Sequence, residues 1–248
     1  RGVLMQSIWR EIAYYGRVLK ELIFPRRCIV CGYGIEAGYV CEQCRKNYLL
    51  QRVLKGEPRE EYLAGQAEPV ALDVLDSVLL LYKYDGVLKD ALHRCKFAAE
   101  ADLLPFLREE AEAGLPSAKL RWLEQFDIIT CVPTSPERLA QRGFDVPQEL
   151  FGPLLDQRSG SSVYSNAVLE RVRHTHPLFE LGPEERRQEL VGCFALRARF
   201  DVRGKHVLLC DDIYTTGSTL CEAAQVLKRA GAAKVSALAF CAARSHWE

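Results

Sequence analysis

One apolar run, Val207-Leu208-Leu209-Cys210, leads through two acids and a turn rich in Thr, Gly and Ser into a helical pattern, and a second apolar run follows. No other feature constrains the fold as much. His206–Asp211 reads as a buried strand, Ser218–Ala230 as a helix and Val235–Cys241 as another strand, which together make a βαβ unit with parallel strands. Upstream, Val74–Tyr82 and Ile128–Val132 have the look of strands, Val87–Phe97 and Ala101–Ala113 that of helices. The expected class is therefore α/β with a mainly parallel sheet, in which ligands sit at the carboxyl ends of the strands. At 248 residues the chain has room for such a domain and a small module beside it.

The part ahead of the sheet is organised differently. Leu4, Ile8, Ile12, Tyr15, Leu19 and Leu22 recur every three or four positions, so residues 1–25 predict an amphipathic helix that Pro25 closes. Residues 51–69 are polar and carry Gly56, Pro58, Gly65 and Pro69, the signature of a linker. The sheet domain then occupies 70–248. Lys plus Arg equals Asp plus Glu at 33 each, but residues 1–55 hold ten bases against four acids. A basic end on an acidic body can orient a polyanion, and it can equally be a solvated face.

Residues 26–50 show no apolar period long enough to bury a core, yet they hold Cys28, Cys31, Cys41 and Cys44 in two C-x2-C pairs. Paired thiolates at this spacing grip one metal ion from a tight turn, and Gly32 lets the backbone fold back beneath the sulfurs. Zn2+ suits four soft ligands without redox demand, and a saturated four-cysteine shell is structural rather than catalytic. An iron–sulfur cluster, two disulfides and a chance pairing are the alternatives, chance being the weakest in a segment without its own core. Cys95, Cys131, Cys193, Cys210, Cys221 and Cys241 lie among apolar neighbours, where thiols act as small buried hydrophobes. Ten cysteines are too sparse for a disulfide scaffold, no secretory signal or membrane span is visible, and the expected compartment is the cytoplasm.

The turn at 211–219 has the ingredients of an anion site. Thr215, Thr216, Gly217, Ser218 and Thr219 bring hydroxyls and backbone N–H groups to the positive end of a helix dipole. Neither a Walker A lysine nor a G-x-G-x-x-G pattern is present. Asp211 and Asp212, side by side, repel each other unless something shares them; sugar hydroxyls or a Mg2+-bound substrate would do so. An ordinary βα loop with a Ser/Thr helix cap explains Thr216 or Ser218 but not the paired acids. A second candidate lies upstream: Arg138 and Arg142, four apart, share one helix face if a helix starts near Ser135 or Pro136. Two guanidiniums so placed can fork onto a diphosphate. Ion pairs of Arg138 with Glu137 and of Arg142 with Asp145 are the alternative.

The strand, the two acids and T-T-G-x-T resemble the phosphoribosyl pyrophosphate (PRPP) signature of type I phosphoribosyltransferases. The resemblance implies Asp211 and Asp212 at the ribose hydroxyls, and Thr215 through Thr219 around the 5′-phosphate. Val132, Pro133, Arg138, Arg142, Gly143 and Phe144 match the V-P-x-x-x-x-R-x-x-x-R-G-F segment of the ComF family, and Tyr82-Lys83-Tyr84-Asp85-Gly86 with Lys96-Phe97 resembles the segment before it. Members of that family pair a zinc-ribbon module with a phosphoribosyltransferase-like domain, and the resemblance runs from Phe24-Pro25 to the last strand. Departures concern other positions. Asp145 and Val146 replace a frequent Asn and Gln, Leu178 lies where a Gln is usual, and Glu189 stands for a frequent Asn. They bear on contacts to a second substrate, where Arg171, Arg173, His174 and His176 offer positive charge; a basic surface loop reads the same way.

The resemblance implies a protein of DNA uptake and natural transformation that binds Mg-PRPP and works with single-stranded DNA and other competence proteins. The alternative is an active phosphoribosyltransferase that passes the phosphoribosyl group from PRPP to a nucleobase or other acceptor. In that case Asp211, Asp212, Arg138 and Arg142 form the catalytic set. Mg2+ with Arg138 and Arg142 would stabilise departing pyrophosphate, each well-placed donor contributing a few kcal/mol.

Overall fold

The computed structural model describes residues 25–49, 74–115, 122–158, 163–175 and 181–243. The predicted helix over 4–22, the linker over 51–69 and His176 lie outside them. The chain divides into two compact units at residues 51 and 52.

In the first unit the helix α1 (Glu42–Leu49) begins directly after Cys41, in a segment whose sequence shows no helical apolar period. Its stability has another origin, because Cys44 sits on its first turn and belongs to the thiol cluster described below. Ahead of it, Arg27 and Gly34 form an isolated antiparallel bridge around the first C-x2-C turn.

The second unit opens with β1 (Ser77–Lys83), α2 (Gly86–Phe97), a 3-10 turn (Ala101–Leu103) and α3 (Leu104–Gly114). It continues with β2 (Ile128–Cys131), α4 (Pro136–Arg142), α5 (Val146–Arg158) and β3 (Val163–Tyr164). After these come β4 (Leu169–Arg171), α6 (Pro183–Leu190), β5 (Phe194–Leu196), β6 (His206–Tyr214), α7 (Ser218–Arg229) and β7 (Lys234–Ala242). Five strands form one sheet in the order β1-β7-β6-β2-β3, with every pairing parallel. β4 and β5 make a separate antiparallel ribbon.

β6 and β7 are nine residues each, are apolar on both faces and lie at the centre, as a sheet covered on both sides requires. One covering layer is α7, α6 and the ribbon. Leu220, Ala223, Ala224 and Leu227 of α7 pack with Leu169 and Phe194 of the ribbon over Val207, Leu209 and Ala237. The other layer includes α3 and α5, whose Phe106 and Phe151 are fully buried. Tyr82 and Phe240 meet edge to face at 5.3 Å, and the Tyr82 hydroxyl donates to the Glu110 carbonyl at 2.7 Å, tying α3 to β1 and β7.

The helix expected over Ala101–Ala113 opens as the 3-10 turn, and two strand boundaries differ from expectation for local reasons. β1 starts at Ser77 rather than Val74: the Asp76 N–H still donates to the Val235 carbonyl at 2.8 Å, but its carboxylate rather than a backbone carbonyl accepts the Val235 N–H, and it also takes the Lys228 ammonium, both at 2.7 Å. β6 runs on to Tyr214 rather than stopping at Asp211, because β7 continues beside it to the Tyr214–Ala242 pair. Both acids therefore belong to the strand. The six scattered cysteines are all buried and unbridged, as their apolar settings predict.

Candidate functional site

The chemistry-bearing residues gather in two places, one in each unit. In the first unit, Cys28 closes a turn in which the Gly32 N–H donates to the Cys28 carbonyl at 2.9 Å and Gly32 takes φ +72°, the left-handed region that glycine enters without a Cβ clash. The Cys28, Cys31, Cys41 and Cys44 sulfurs all lie within 4.8 Å of one another. All four thiols are unbridged, which sets aside the two-disulfide alternative. The Cys31–Cys41 Sγ separation is 3.7 Å, and a tetrahedron with metal–sulfur bonds of about 2.3 Å has edges of about 3.8 Å. Burial opposes ionisation of Cys28, but the Cys41, Cys31 and Val30 backbone N–H groups more than offset it and bring the thiol down to about 6. Cys44 moves the other way, to about 12, chiefly through its bond with Cys41. Four thiols this close cannot all ionise without a cation among them.

In the second unit the site forms where the strand connections diverge. From β6 the chain crosses to β7 on one side, and from β2 it crosses to β3 on the other, so the carboxyl ends of β2 and β6 flank a topological switch point. β2 stops at Cys131 opposite Cys210, and after a last bond from Val132 N–H to the Cys210 carbonyl at 2.9 Å the chain turns away through Pro133. β6 continues alone on that side, carrying Asp211 and Asp212 to the rim.

The two acids have different surroundings. Asp211 follows Val207 and Leu209 at the strand period of two, which places it on the face covered by α7 and the ribbon. Asp212 bonds to Lys96 of α2, Nζ to Oδ1, at 2.7 Å. Its own N–H donates to Asp211 Oδ1 at 2.8 Å. Both carboxyls are buried, at 8% and 5% relative exposure. Burial, and then the Asp212 charge, push Asp211 up to about 8.

That shift has a pH consequence with a definite sign. An unfolded Asp releases its proton near pH 4, whereas folded Asp211 keeps it to about 8, so the folded state binds more protons between those values. Stability is expected to fall as pH rises from about 4 to about 8 and then to level off. Asp211→Asn should remove this contribution, so that its denaturation midpoint exceeds that of the wild type at pH 8 by more than at pH 5. Parallel curves for the two proteins across that range would refute the assignment.

Beyond Tyr214 the turn is only Thr215 to Gly217, after which α7 begins. Gly217 sits at φ +79°, and a Cβ there would meet the Tyr214 hydroxyl at 2.6 Å, so the position excludes any side chain. With Gly217 at the cap, the first turn of α7 has no side-chain capping bond. The Thr216 and Ser218 hydroxyls bond each other at 2.7 Å, and the Ser218 N–H reaches Thr216 Oγ1 only at 3.5 Å. Hydroxyls and first-turn N–H groups thus lie together at the start of α7, in the turn that follows the acids.

The second sequence candidate is also in helical form. α4 starts at Pro136, with Ser135 as its cap accepting from the Arg138 N–H at 3.4 Å, so Arg138 and Arg142 do share a face. The acids named for ion pairs make further contacts. Glu137 bonds to His174 at 3.1 Å. Asp145 accepts from the Thr134 N–H at 2.8 Å and the Gln148 N–H at 3.4 Å, which caps α5 and straps the Pro133 loop in place. Arg138 is half-buried, and burial followed by the Arg142 charge lowers it. The Arg142 guanidinium lies 6.0 Å from the Phe144 ring centroid, and among the described residues its buried Nε has no hydrogen-bond partner.

Sequence patterning alone did not single out Lys96 as the partner of Asp212. Only the family resemblance drew notice to it, because a lysine near a helix end carries no local mark of a partner 116 positions away.

With this geometry in view, similarity to known proteins is informative. Residues 157–248, from the end of α5 through β7, match the family model described as a phosphoribosyl transferase domain. The DNA utilization protein YhgH of Salmonella typhimurium is 31% identical over 159 residues, covering 64% of this chain and 68% of that protein. The competence protein ComFC of Bacillus subtilis is 26% identical over 243 residues, covering 95% of this chain and 86% of that protein. The chain belongs to the ComF family. A solved structure of the allosteric regulatory enzyme of purine biosynthesis is 24% identical, with a TM-score of 0.27, over 48% of this ComF-family chain and 24% of its own length. Among the described residues no helix is long and apolar enough to cross a membrane.

Proposed function

We propose that this chain acts in DNA uptake, that its 70–248 domain binds Mg-PRPP, and that the four cysteines of residues 26–50 hold a structural Zn2+. The supporting observation is the convergence at the β2–β6 junction of an acid pair, a hydroxyl-lined helix start and two guanidiniums on one helical face, three groups that ordinary helix capping does not bring together. The names of the relatives, a DNA utilization protein and a competence protein, supply the biological setting.

In this reading Asp211 and Asp212 face the ribose hydroxyls, Thr215 to Thr219 take the 5′-phosphate, and Arg138 and Arg142 take the diphosphate. Mg2+ arriving with the diphosphate would offset part of its negative charge. The acids suit a sugar: a protonated Asp211 donates and accepts, and Asp212, held by Lys96, accepts. Chloride or sulfate would gain nothing from that pair.

Titration calorimetry of Mg-PRPP into the full chain tests the site. Thr216→Ala is expected to weaken binding at least about tenfold, through loss of a hydroxyl donor to a charged oxygen, while the far-ultraviolet circular dichroism stays unchanged. Equal affinity in the two proteins would refute the cradle. Two further measurements sort the roles. Pyrophosphate release across a panel of nucleobases would establish an active transferase, and single-stranded DNA binding that weakens steeply with salt would support the uptake role.

A further inference from the structure

The basic residues between Arg171 and Glu189 are not equivalent. Arg173 is engaged at the C-terminal end of α6, its Nη2 donating to the Glu189 carbonyl and, at 3.1 Å, to the Val191 carbonyl. His174 holds the segment against α4 through Glu137 Oε2 at 3.1 Å and Ser135 Oγ at 3.3 Å. Arg171, the last residue of β4, is different. Its Nη2 donates to Thr175 Oγ1 at 2.6 Å, its guanidinium lies 5.4 Å over the Phe194 ring, and among the described residues its buried Nε has no partner. Burial lowers it, then the Arg138 charge, while Asp211 acts in the opposite sense. His174, three residues on, is bonded to Ser135 and Glu137 at the start of α4, which brings this end of the ribbon beside the helix that carries Arg138, and Arg171 feels the charges of both Arg138 and Asp211.

We propose that Arg171 is a third guanidinium of the anion site, forming with Arg138 and Arg142 an arc that binds the diphosphate of the ligand, with Thr175 and Phe194 orienting it. The inference deepens the Mg-PRPP reading and rests on it. The guanidiniums of Arg171 and Arg138, and of Arg138 and Arg142, repel one another, and a multiply charged anion offsets that repulsion. The orphaned Nε atoms of Arg142 and Arg171 are the donors such an anion would take up. Arg171 comes from the ribbon rather than from α4, so the arc grips the anion from two directions, which suits two linked phosphoryl groups better than one.

Inorganic pyrophosphate, Mg-PRPP and ribose 5-phosphate titrated into the full chain and into R171Q, R171K and T175V test this. R171Q is expected to weaken pyrophosphate and Mg-PRPP by about 10- to 100-fold and to leave ribose 5-phosphate within about twofold. R171K, which keeps the charge but not the planar fork, should recover part of that loss, and T175V should fall between wild type and R171Q. Thermal melts of each variant establish that it is folded, and T175V keeps the charge should R171Q not fold. Wild-type pyrophosphate affinity in R171Q and T175V overturns the assignment of Arg171. If the unaltered chain binds neither pyrophosphate nor Mg-PRPP, the Mg-PRPP reading itself fails and this inference falls with it.

Discussion

Cys28→Ser is expected to strip most of the bound zinc from the chain and to unfold residues 25–49, while the sheet domain keeps its cooperative melt. The size of the effect follows from what holds the first unit together. Few of its described side chains are buried, Cys28 and Val40 being the apolar ones. A structural zinc in so small a module contributes about 10–16 kcal/mol of binding free energy, which is then folding free energy. Cys28 is the most buried ligand and the one whose thiolate the backbone favours, so its loss leaves three sulfurs around a solvent-open position. Zinc content by atomic absorption, together with amide hydrogen exchange over 25–49 and 74–243, would read both effects. Full zinc occupancy in the variant would remove Cys28 from the ligand set. A chelator should act as the substitution does, and only on the first unit.

Lys96→Met is the second large effect, and it separates stability from binding. The lysine is the ion-pair partner of Asp212, which is 5% exposed and next to Asp211. Removing the ammonium leaves two buried carboxyls with no nearby cation bonded to them, and breaking such a pair costs about 3–5 kcal/mol. In a domain of this size that corresponds to a loss of roughly 6–20 °C in Tm. Asp212→Asn in the Lys96→Met background should restore most of the melting temperature, since it removes the orphaned charge. The double variant should not bind Mg-PRPP as the wild type does, because the proposed site sets the Asp212 carboxylate at the ribose. A double-mutant cycle in denaturant measures the coupling, and additive losses would mean that the 2.7 Å contact contributes nothing to stability.

The distinction between these sites reflects two kinds of information in the chain. The cysteine cluster was legible because its ligands lie within seventeen consecutive positions, and the C-x2-C spacing by itself sets which sulfurs can share an ion. The 206–242 βαβ unit was legible for a similar reason: apolar period, turn chemistry and helix start are local and agree with one another. The pair Arg138 and Arg142 was legible as a helical face, but the partners of its neighbours were not. Glu137 and Asp145, natural candidates for ion pairs by proximity in sequence, also bond to His174 and to the Thr134 and Gln148 backbone, contacts outside that helical pattern.

Local order in this sequence thus determined the class of fold, the thiol cluster and the strand, turn and helix start that present Asp211 to Thr219. Tertiary structure alone decided that Lys96 reaches Asp212, that the acids fall in unlike surroundings so that Asp211 holds its proton to about 8, and that the ribbon end carrying Arg171 lies beside the helix of Arg138. The reason is physical. Periodicity states which side of an element is apolar, whereas the meeting of side chains from α2, the ribbon and β6 depends on strand order and register, which are set by long-range packing rather than by neighbours along the chain.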